Sequence, residues 1–302
     1  MSASVLYDAP GPRARRREAI GSAIGAVVLL ALVAAAVVYA ARRGVFDVNR
    51  WDVLFDPPKN QTAGAVWSSL LIRGLGATLR AAAVAAPLAL LLGVGLAVWR
   101  TTRLAWLRGP AVVVIEVFRG VPVLLGMFFA LLGFGWSAFA SVVFGLVVYN
   151  MAVIAEIVRA GLAALPRGQE EAAHAIGLTR AQTLRIVLLP QALANMSPSL
   201  VAQLVVLLKD SSLGFIVGYP ELLKAIQNNT QYFGTQYAVA LFVAGAGTYL
   251  VVNISLSRLA VRLQRRGRRT GAPPADAPVL PAGTQPVADP GAGKDASARA
   301  GY

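Results

Sequence analysis

Long apolar stretches separated by short polar segments dominate the pattern of this chain. They cover Ile20 to Ala41, Gly74 to Trp99, Pro110 to Ala155, Ala192 to Leu208, and Tyr237 to Ala260. A bilayer core needs roughly 20 apolar residues, so the third stretch is too long for one crossing. The Gly133-Phe134-Gly135 sequence inside it is typical of a turn, and it divides that stretch into two spans. The pattern therefore predicts an all-α integral membrane protein with about six transmembrane helices.

One polar interruption, from Glu156 to Pro190, is patterned to fold. Pro166 suits the first turn of a helix, where its missing N–H is not needed. The residues from Arg167 to Ile176 are mostly good helix formers. Gly177 is placed to close this helix in the left-handed conformation that glycine adopts easily. This part of the sequence predicts a short helix that ends in a tight turn.

A second short helix is predicted directly after that turn. Thr179 is followed three residues later by Gln182, and this pair has the spacing of a capping box. The helix is expected to reach Leu189. Pro190 then ends it or opens the next element, because proline cannot donate a backbone hydrogen bond. Residues 166–190, called the hairpin below, are thus predicted as two short helices outside the bilayer.

The hairpin also carries a spaced motif, in which an acid and two alanines precede a glycine and a Leu-Pro pair. The motif residues are Glu171, Ala172, Ala173, Gly177, Leu189 and Pro190. The flanking stretches are Glu116 to Pro122, Ala155 to Gly161, Gly168 to Glu170, Leu189 to Leu193, and Lys209 to Leu213. Together they resemble the EAA loop and flanks of permease subunits of binding-protein-dependent ABC importers, in the polar amino acid branch. The resemblance covers Ser69 to Arg262, and Val187 stands where the family has Ile.

The resemblance implies a type I ABC importer permease fold, with a five-helix core and an extra N-terminal helix. It implies release of a polar amino acid into the cell after delivery by an extracytoplasmic amino acid-binding protein. Glutamate is the leading substrate, because the extra helix and the long tail are similar to glutamate permeases of high-GC bacteria. The expected partners are a dimeric cytoplasmic ABC ATPase, a second permease subunit that is homologous or identical, and membrane lipid. The ATPase would bind ATP and Mg²⁺, and this chain would hold no cofactor.

Charge supports a membrane setting and gives an orientation. The net charge is +14, which in a soluble chain would suggest a nucleic-acid partner. Here the arginines flank apolar stretches, as the positive-inside rule requires, so no nucleic acid is expected. Both termini and the hairpin are then cytoplasmic, in a multi-pass protein of the cell membrane. The chain has no cysteine and one histidine, so thiolate and His-rich metal sites are excluded.

Five segments are expected along the chain. They are a cytoplasmic N-terminus over 1–19, an extra transmembrane helix over 20–41, an extracytoplasmic segment over 42–68, a permease core over 69–262 and a disordered cytoplasmic tail over 263–302. The tail is rich in Pro, Gly and Ala and has little apolar surface to bury. Within the core, Tyr219 to Thr230 is expected to be a small segment at the outer surface.

The residues expected to couple the chain to its ATPase follow from the resemblance alone. They are Glu170, Glu171, Ala172, Ala173, Gly177, Leu189 and Pro190. No catalytic set is apparent, because the only glycine-lysine stretch in a loop setting, Gly291 to Asp295, lacks the upstream glycine and the Ser or Thr of a phosphate-binding loop. The chain is therefore expected to be a transport subunit and not an enzyme.

Charged residues in or beside the spans are candidates for the translocation path. They are Lys209, Asp210, Glu116, Arg119, Glu156 and Arg159. Lys209 and Asp210 are expected to interrupt a short span. The other four form two pairs spaced three apart, which can meet on one helix face. For these pairs, snorkelling at the cytoplasmic interface is at least as good an interpretation as a substrate role.

Two other classes of protein remain open from the residues alone. An ion-driven carrier or channel would need no ATPase, but it typically shows internal repeats with an interrupted helix in each half. The sequence has one interruption, near Lys209, and no convincing repeat. A membrane scaffold that only binds partners would need no charged residues beside a broken span.

Overall fold

The computed structural model describes residues 11–102 and 105–269, and this part of the chain is helical with no strand. The helices are α1 Pro12–Arg42, α2 Ala63–Arg100, α3 Ala105–Gly120, α4 Val123–Gly133, α5 Ala138–Ala163, α6 Arg167–Ala175, α7 Arg180–Phe215, α8 Leu222–Phe233 and α9 Ala238–Arg269. Short 3₁₀ turns lie between α1 and α2, at Val48–Arg50 and Asp52–Leu54. The all-α membrane fold predicted from the sequence is confirmed.

Within the described residues, five helical stretches are long and apolar enough to cross a membrane, or six if one bent pair is counted as a span. The five are α1, α2, α5, α7 and the stretch Thr235–Leu259. The bent pair is Arg108–Gly120 and Val123–Gly133, which meet at an angle of 103°. About six spans were expected, and the structure agrees with that number when the bent pair is one crossing.

The bend corrects the prediction of one continuous span from Pro110 to Leu132. Pro122 has φ −56° and ψ 138°, and it stands as the cap before α4. A proline has no backbone N–H to donate, and it disfavours helical geometry at the residue before it. The chain consequently leaves the helix after Gly120 and starts again at Val123. Hydropathy alone could not show this, because all the residues around the bend are apolar except Arg119.

The main core forms where α2, α5 and α7 pack together, with α3 and α4 on the α5 side. Its fully buried side chains include Ala85, Ala89, Leu146, Ile154 and Leu207. Small residues on α2 let α5 approach closely, as is common between membrane helices. A Cβ added at Gly93 would lie 2.7 Å from Ile154 Cγ2 and 2.8 Å from the backbone oxygen of Met151. Gly93 therefore sets the distance between α2 and α5.

A second cluster lies at the other end of α2 and includes α8. Leu222, Ala225, Ile226 and Phe233 are buried in it together with Leu70 of α2 and Leu241 of α9. The segment from Tyr219 to Thr230, expected at the outer surface, is mostly the helix α8, and one face of this helix is buried. The apolar residues of α8 recur at helical spacing on one face, and that face is covered by the neighbouring helices.

Several boundaries differ from those expected. α2 begins at Ala63, inside the segment expected to be extracytoplasmic, because Thr62 caps it by accepting a hydrogen bond from the backbone N–H of Ala65. α9 continues to Arg269, so residues 263–269 are helical and do not belong to a disordered tail. The rest of the predicted tail, 270–302, and the first part of the predicted N-terminus, 1–10, lie outside the described residues.

Helix α1 stands apart from the rest of the described chain. None of its residues is buried, although it is long and apolar enough to span a membrane. The loop after it is attached to the second cluster, where Val53 and Leu54 are buried and Trp51 donates a hydrogen bond to the backbone oxygen of Val45. The exposed face of α1 is therefore left to lipid or to another membrane subunit.

Candidate functional site: an exposed hairpin and the charged groups of the spans

The turn of the hairpin has a complete C-terminal cap. Gly177 has φ +85°, in the left-handed region that favours glycine. Its N–H donates to the oxygen of His174 at 3.0 Å, and the N–H of Leu178 donates to the oxygen of Ala173 at 3.1 Å. These two bonds form a Schellman motif, which closes the end of α6. The predicted glycine turn is confirmed.

The predicted capping box is also present. The backbone N–H of Thr179 donates to Gln182 Oε1 at 2.8 Å, and the N–H of Gln182 donates to Thr179 Oγ1 at 3.4 Å. The box starts the second helix one residue after Leu178. The glycine cap and the capping box therefore fix the backbone between the two helices of the hairpin. The direction of the second helix depends on the turn at Gly177.

The second helix does not stop at the Leu-Pro pair, and Pro190 lies in the first turn of the α-helical span, which is one of the two roles that the sequence left open for it. It continues through Pro190 into the span, so that α7 is one helix from Arg180 to Phe215. A π-helical turn over Thr183–Leu188 comes directly before Leu189. Such a turn shifts the backbone hydrogen bonds by one residue and is a known way for a helix to accommodate a proline.

The motif residues of the hairpin divide into two groups by their surroundings. Glu170, Glu171 and Ala172 are exposed, whereas Ala173 is buried at 3 % exposure. Leu189 is partly buried against the main core and Pro190 is exposed. The acids and Ala172 are therefore accessible to another protein, whereas Ala173 is buried in the first helix of the hairpin, which packs against the Thr183–Leu188 turn, and Leu189 packs against the main core.

Ile176 is a surface feature that the sequence reasoning missed. It lies directly before Gly177 and is 78 % exposed, beside the polar residues of α6. A single exposed apolar side chain is common on protein surfaces, so the place of Ile176 directly beside the capped turn is what distinguishes it. The available signal was a single isoleucine in an otherwise polar and alanine-rich helix.

A charge cluster ties the ends of α2 and α5 together behind the hairpin. Glu156 accepts from Arg159 Nε at 2.6 Å and also pairs with Arg100, and its side chain is 17 % exposed. The predicted pairing of Glu156 with Arg159 is confirmed, and Arg100 is an additional partner. In the sequence, Arg100 is an arginine at the end of a span, and this position does not indicate that its partner is Glu156.

The other predicted charges are not brought to this cluster. Glu116 and Arg119 form their own exposed pair at 2.7 Å on α3. Lys209 and Asp210 lie in the last α-helical turn of α7, before a tighter 3₁₀ turn over Ser211–Phe215. The helix is thus intact at both residues, contrary to the expected interruption there. Among the described residues, neither forms an ion pair with any other group.

A buried polar contact between two of the spans was not predicted. Asn150 of α5 is 0 % exposed and its Oδ1 accepts from Gln203 Nε2 of α7 at 2.8 Å. Its Nδ2 donates to the oxygen of Leu146 at 2.7 Å. Side-chain hydrogen bonds between membrane helices fix their packing, because an unpaired amide is costly in lipid. This pair therefore holds α5 and α7 in register.

Glu221 is a further buried polar residue that was not predicted, and it lies outside the spans, between α7 and α8. It caps α8 by accepting from the backbone N–H of Lys224 at 2.9 Å, and the side chain is 0 % exposed. Burial raises the pKa of Glu221 above its ordinary value, although hydrogen bonds from the backbone of α8 act in the opposite direction. In the part of the chain that the structure describes, no group of three or more His, Cys, Asp or Glu residues could hold a metal ion.

The fold and the exposed hairpin define the class of helical membrane permeases that present a capped polar hairpin between two spans. Residues 89–269 match the family described as the binding-protein-dependent transport system inner membrane component. The chain belongs to this family. The resemblance inferred from the hairpin motif is thereby confirmed.

Individual relatives agree with the family match. The chain is 41% identical over 237 residues to the glutamate transport system permease protein GluD of Corynebacterium glutamicum, covering 74% of this chain and 82% of the relative. It is 38% identical over 160 residues to the probable glutamine ABC transporter permease protein GlnP of Bacillus subtilis, covering 51% and 73% of the two chains.

A solved structure described as an amino acid ABC transporter with histidines has the same fold. The TM-score is 0.60 with 31% sequence identity, over 66% of this chain and 95% of that chain. The protein is accordingly a membrane permease subunit of an ABC importer and not an enzyme.

Proposed function

We propose that this chain is the permease through which an ATP-driven importer takes up L-glutamate. The observation that carries the proposal is the 41% identity to a glutamate permease over 82% of that protein's length. The described residues add a rigid, exposed hairpin of the kind needed to transmit movement from a separate ATPase. Glutamine is the second candidate, since the Bacillus subtilis relative bears that substrate in its name.

The hairpin is the proposed contact with the ATPase dimer. Ile176 would enter an apolar recess of the partner, and the exposed acids Glu170 and Glu171 would meet basic groups around it. Gly177 keeps the two helices at a fixed angle, and α7 carries movement directly into the membrane because it is continuous with the hairpin. Leu189 and Pro190 would contribute by holding this connection and not by touching the ATPase.

The remaining partners follow from the same proposal. An extracytoplasmic binding protein would deliver the amino acid at the end of the molecule opposite the hairpin, where the loop before α2 meets α8. A second permease, identical or homologous, would cover apolar surface that this chain leaves exposed. Among the predicted path residues, Lys209 and Asp210 remain candidates, whereas the Arg100, Glu156 and Arg159 cluster lies behind the hairpin and suits an interfacial lock between α2 and α5.

Orientation is tested with cysteines, since the chain has none of its own. Asn60 lies in the loop before α2 and Ala181 lies in the hairpin, and both are exposed. If both termini and the hairpin are cytoplasmic, N60C reacts with an impermeant thiol reagent in intact cells and A181C reacts only after lysis. The reverse labelling would contradict the proposed topology.

The substrate is tested in proteoliposomes that contain the chain with its ATPase and enclosed ATP, with the binding protein outside. Uptake of labelled L-glutamate, L-glutamine, L-aspartate and L-arginine is measured separately, and the unlabelled amino acids are used as competitors. We expect L-glutamate to accumulate fastest. Accumulation of only another amino acid would contradict the glutamate assignment and leave the assignment as a permease intact.

A further inference from the structure

A cavity of about 690 Å³ lies between the hairpin and the ends of α2 and α5. Its volume is within the range of about 300–1,000 Å³ that is usual for ligand sites. Both polar and apolar atoms face it. The part of the lining that matters here comes from α2, α5 and the hairpin and consists of Val98, Arg159, Leu162, Glu170, Arg180 and Leu188.

Arg180 contributes the first positive charge of this cavity. Its side chain is exposed, and within the described part of the chain it forms no ion pair. It is also the first residue of α7, directly after the cap residue Thr179. A cation in the first turn of a helix is unfavourable, because the helix dipole places positive partial charge there. Helix stability therefore does not explain this arginine, whereas an anion beside it would offset the repulsion.

Arg159 contributes the second positive charge, and it shares its carboxylate partner. Its Nε donates to Glu156 at 2.6 Å, and Glu156 also pairs with Arg100. The lining includes one acid, Glu170, whose Oε1 lies 3.7 Å from the imidazole Nε2 of the histidine on the same helix. With the arginine at the start of α7, three guanidinium groups face two carboxylates. The cavity and its nearest partners therefore have an excess of positive charge.

The place of the cavity and its apolar side chains narrow the kind of anion. α2 ends at Arg100 and α5 ends at Ala163, so the cavity lies where two membrane spans end. Lipid headgroups lie at this level, next to the hydrocarbon core. Val98, Leu162 and Leu188 offer apolar contacts that a small soluble anion would not use. The combination fits an amphiphile with a phosphate group.

We propose that this cavity binds an anionic phospholipid, with Arg159 and Arg180 on its phosphate and the apolar side chains against its glycerol and the start of its acyl chains. The planar fork of arginine suits phosphate, because it can donate two parallel hydrogen bonds. Basic pockets between membrane helices are a known type of headgroup site. The bound lipid would join the end of α5 to the first turn of α7 and would hold the hairpin against the spans.

The test measures lipid binding to the complete permease and ATPase complex in micelles of an uncharged detergent. The probe is phosphatidylglycerol with a fluorescent acyl chain, and its anisotropy reports binding. Unlabelled phosphatidylglycerol and phosphatidylcholine compete with it in separate titrations. We expect the wild type to prefer phosphatidylglycerol, and Arg180→Gln to reduce that preference about fivefold, because one basic contact to the anionic headgroup is lost.

Arg185→Gln is the matched control. Arg185 is also an exposed arginine of the hairpin, but it is not part of the cavity lining, so the variant should keep the preference of the wild type. Thr101→Glu adds a carboxylate to the lining from the exposed end of α2, and it should also reduce the preference. This second variant reports on the cavity if Arg180→Gln does not fold. A general loss of structure would weaken the binding of both lipids and leave their ratio unchanged.

Two soluble competitors, inorganic phosphate and glycerol 3-phosphate, separate a lipid from a free anion. If either displaces the probe as well as phosphatidylglycerol does, the cavity is a soluble phosphate site and the proposal fails. Equal affinity of the wild type for the two lipids, or an unchanged preference in both Arg180→Gln and Thr101→Glu, would also overturn it.

Loss of the ATPase from the Arg180→Gln complex in every lipid would place this arginine against the ATPase, and that result too would overturn the proposal. None of these outcomes depends on which amino acid is transported. The proposed function fails separately, if the wild-type complex imports no amino acid with ATP.

Discussion

Gly177→Val should reduce the stimulation of ATP hydrolysis by the loaded binding protein about tenfold or more while leaving the chain inserted in the membrane. A β-branched residue in the left-handed region costs about 1–2 kcal/mol, and relief of this strain would turn the second helix of the hairpin away from its position. There is open space around a Cβ at this position, so the penalty comes from the backbone and not from a clash. Because α7 continues from the hairpin into the span, a change in the direction of the hairpin would prevent movement of the ATPase from being passed to the span.

The measurement is ATP hydrolysis by the purified complex with and without binding protein loaded with L-glutamate. Gly177→Asn is the matched control, because asparagine tolerates the left-handed conformation far better than valine does. We expect the asparagine variant to keep most of the stimulation and the valine variant to lose about tenfold or more, as 1.4 kcal/mol corresponds to a factor of ten. Equal stimulation in the two variants would show that the turn does not transmit the signal.

Gly93→Val is expected to have the largest effect on folding. Its Cβ would lie 2.7 Å from Ile154 Cγ2 and 2.8 Å from the oxygen of Met151, both on α5. Because one of these contacts is backbone, a side-chain rotation cannot relieve it. Forcing extra atoms into a packed interior typically costs about 1–3 kcal/mol, and more when backbone must shift.

Gly95→Val provides the control on the same helix, since a Cβ there meets nothing within 4 Å. Thermal aggregation of the detergent-purified chain is followed by fluorescence size exclusion. We expect Gly93→Val to aggregate at clearly lower temperature and in lower yield, and Gly95→Val to resemble the wild type. If the two variants behave alike, close packing at Gly93 does not hold α2 against α5.

The hairpin was predictable because its signals are local. The glycine turn, the capping box and the proline before α6 each depend on residues within five positions of one another, so the backbone geometry follows from the sequence. The spans were predictable for a similar reason, since their length and apolar character are set by the thickness of a bilayer.

Other features depend on contacts between distant residues, and the pattern could not supply them. Helix α8 is short enough to be a surface helix, and its apolar face is buried only because α2 and α9 pack against it. The pairing of Arg100 with Glu156 joins the ends of two spans. The bend before Pro122 had a local signal, yet membrane helices often contain prolines without breaking, as α2 does at Pro87.

Glu221 was missed for a different reason. A glutamate after a Tyr-Pro pair looks like the start of a surface helix, and its role as the cap of α8 agrees with that interpretation. Only the tertiary structure shows that the side chain is buried and that Oε2 has no hydrogen-bond partner among the described residues.

The central claim is that this chain imports its amino acid by means of ATP hydrolysed on a partner subunit. The most direct measurement is L-glutamate uptake by proteoliposomes holding the chain and its ATPase, with either ATP or a non-hydrolysable analogue enclosed and with loaded binding protein outside. A parallel sample carries a sodium or proton gradient and no nucleotide. The account predicts accumulation with ATP alone. Accumulation driven by the ion gradient without ATP, together with none in the ATP sample, would contradict it.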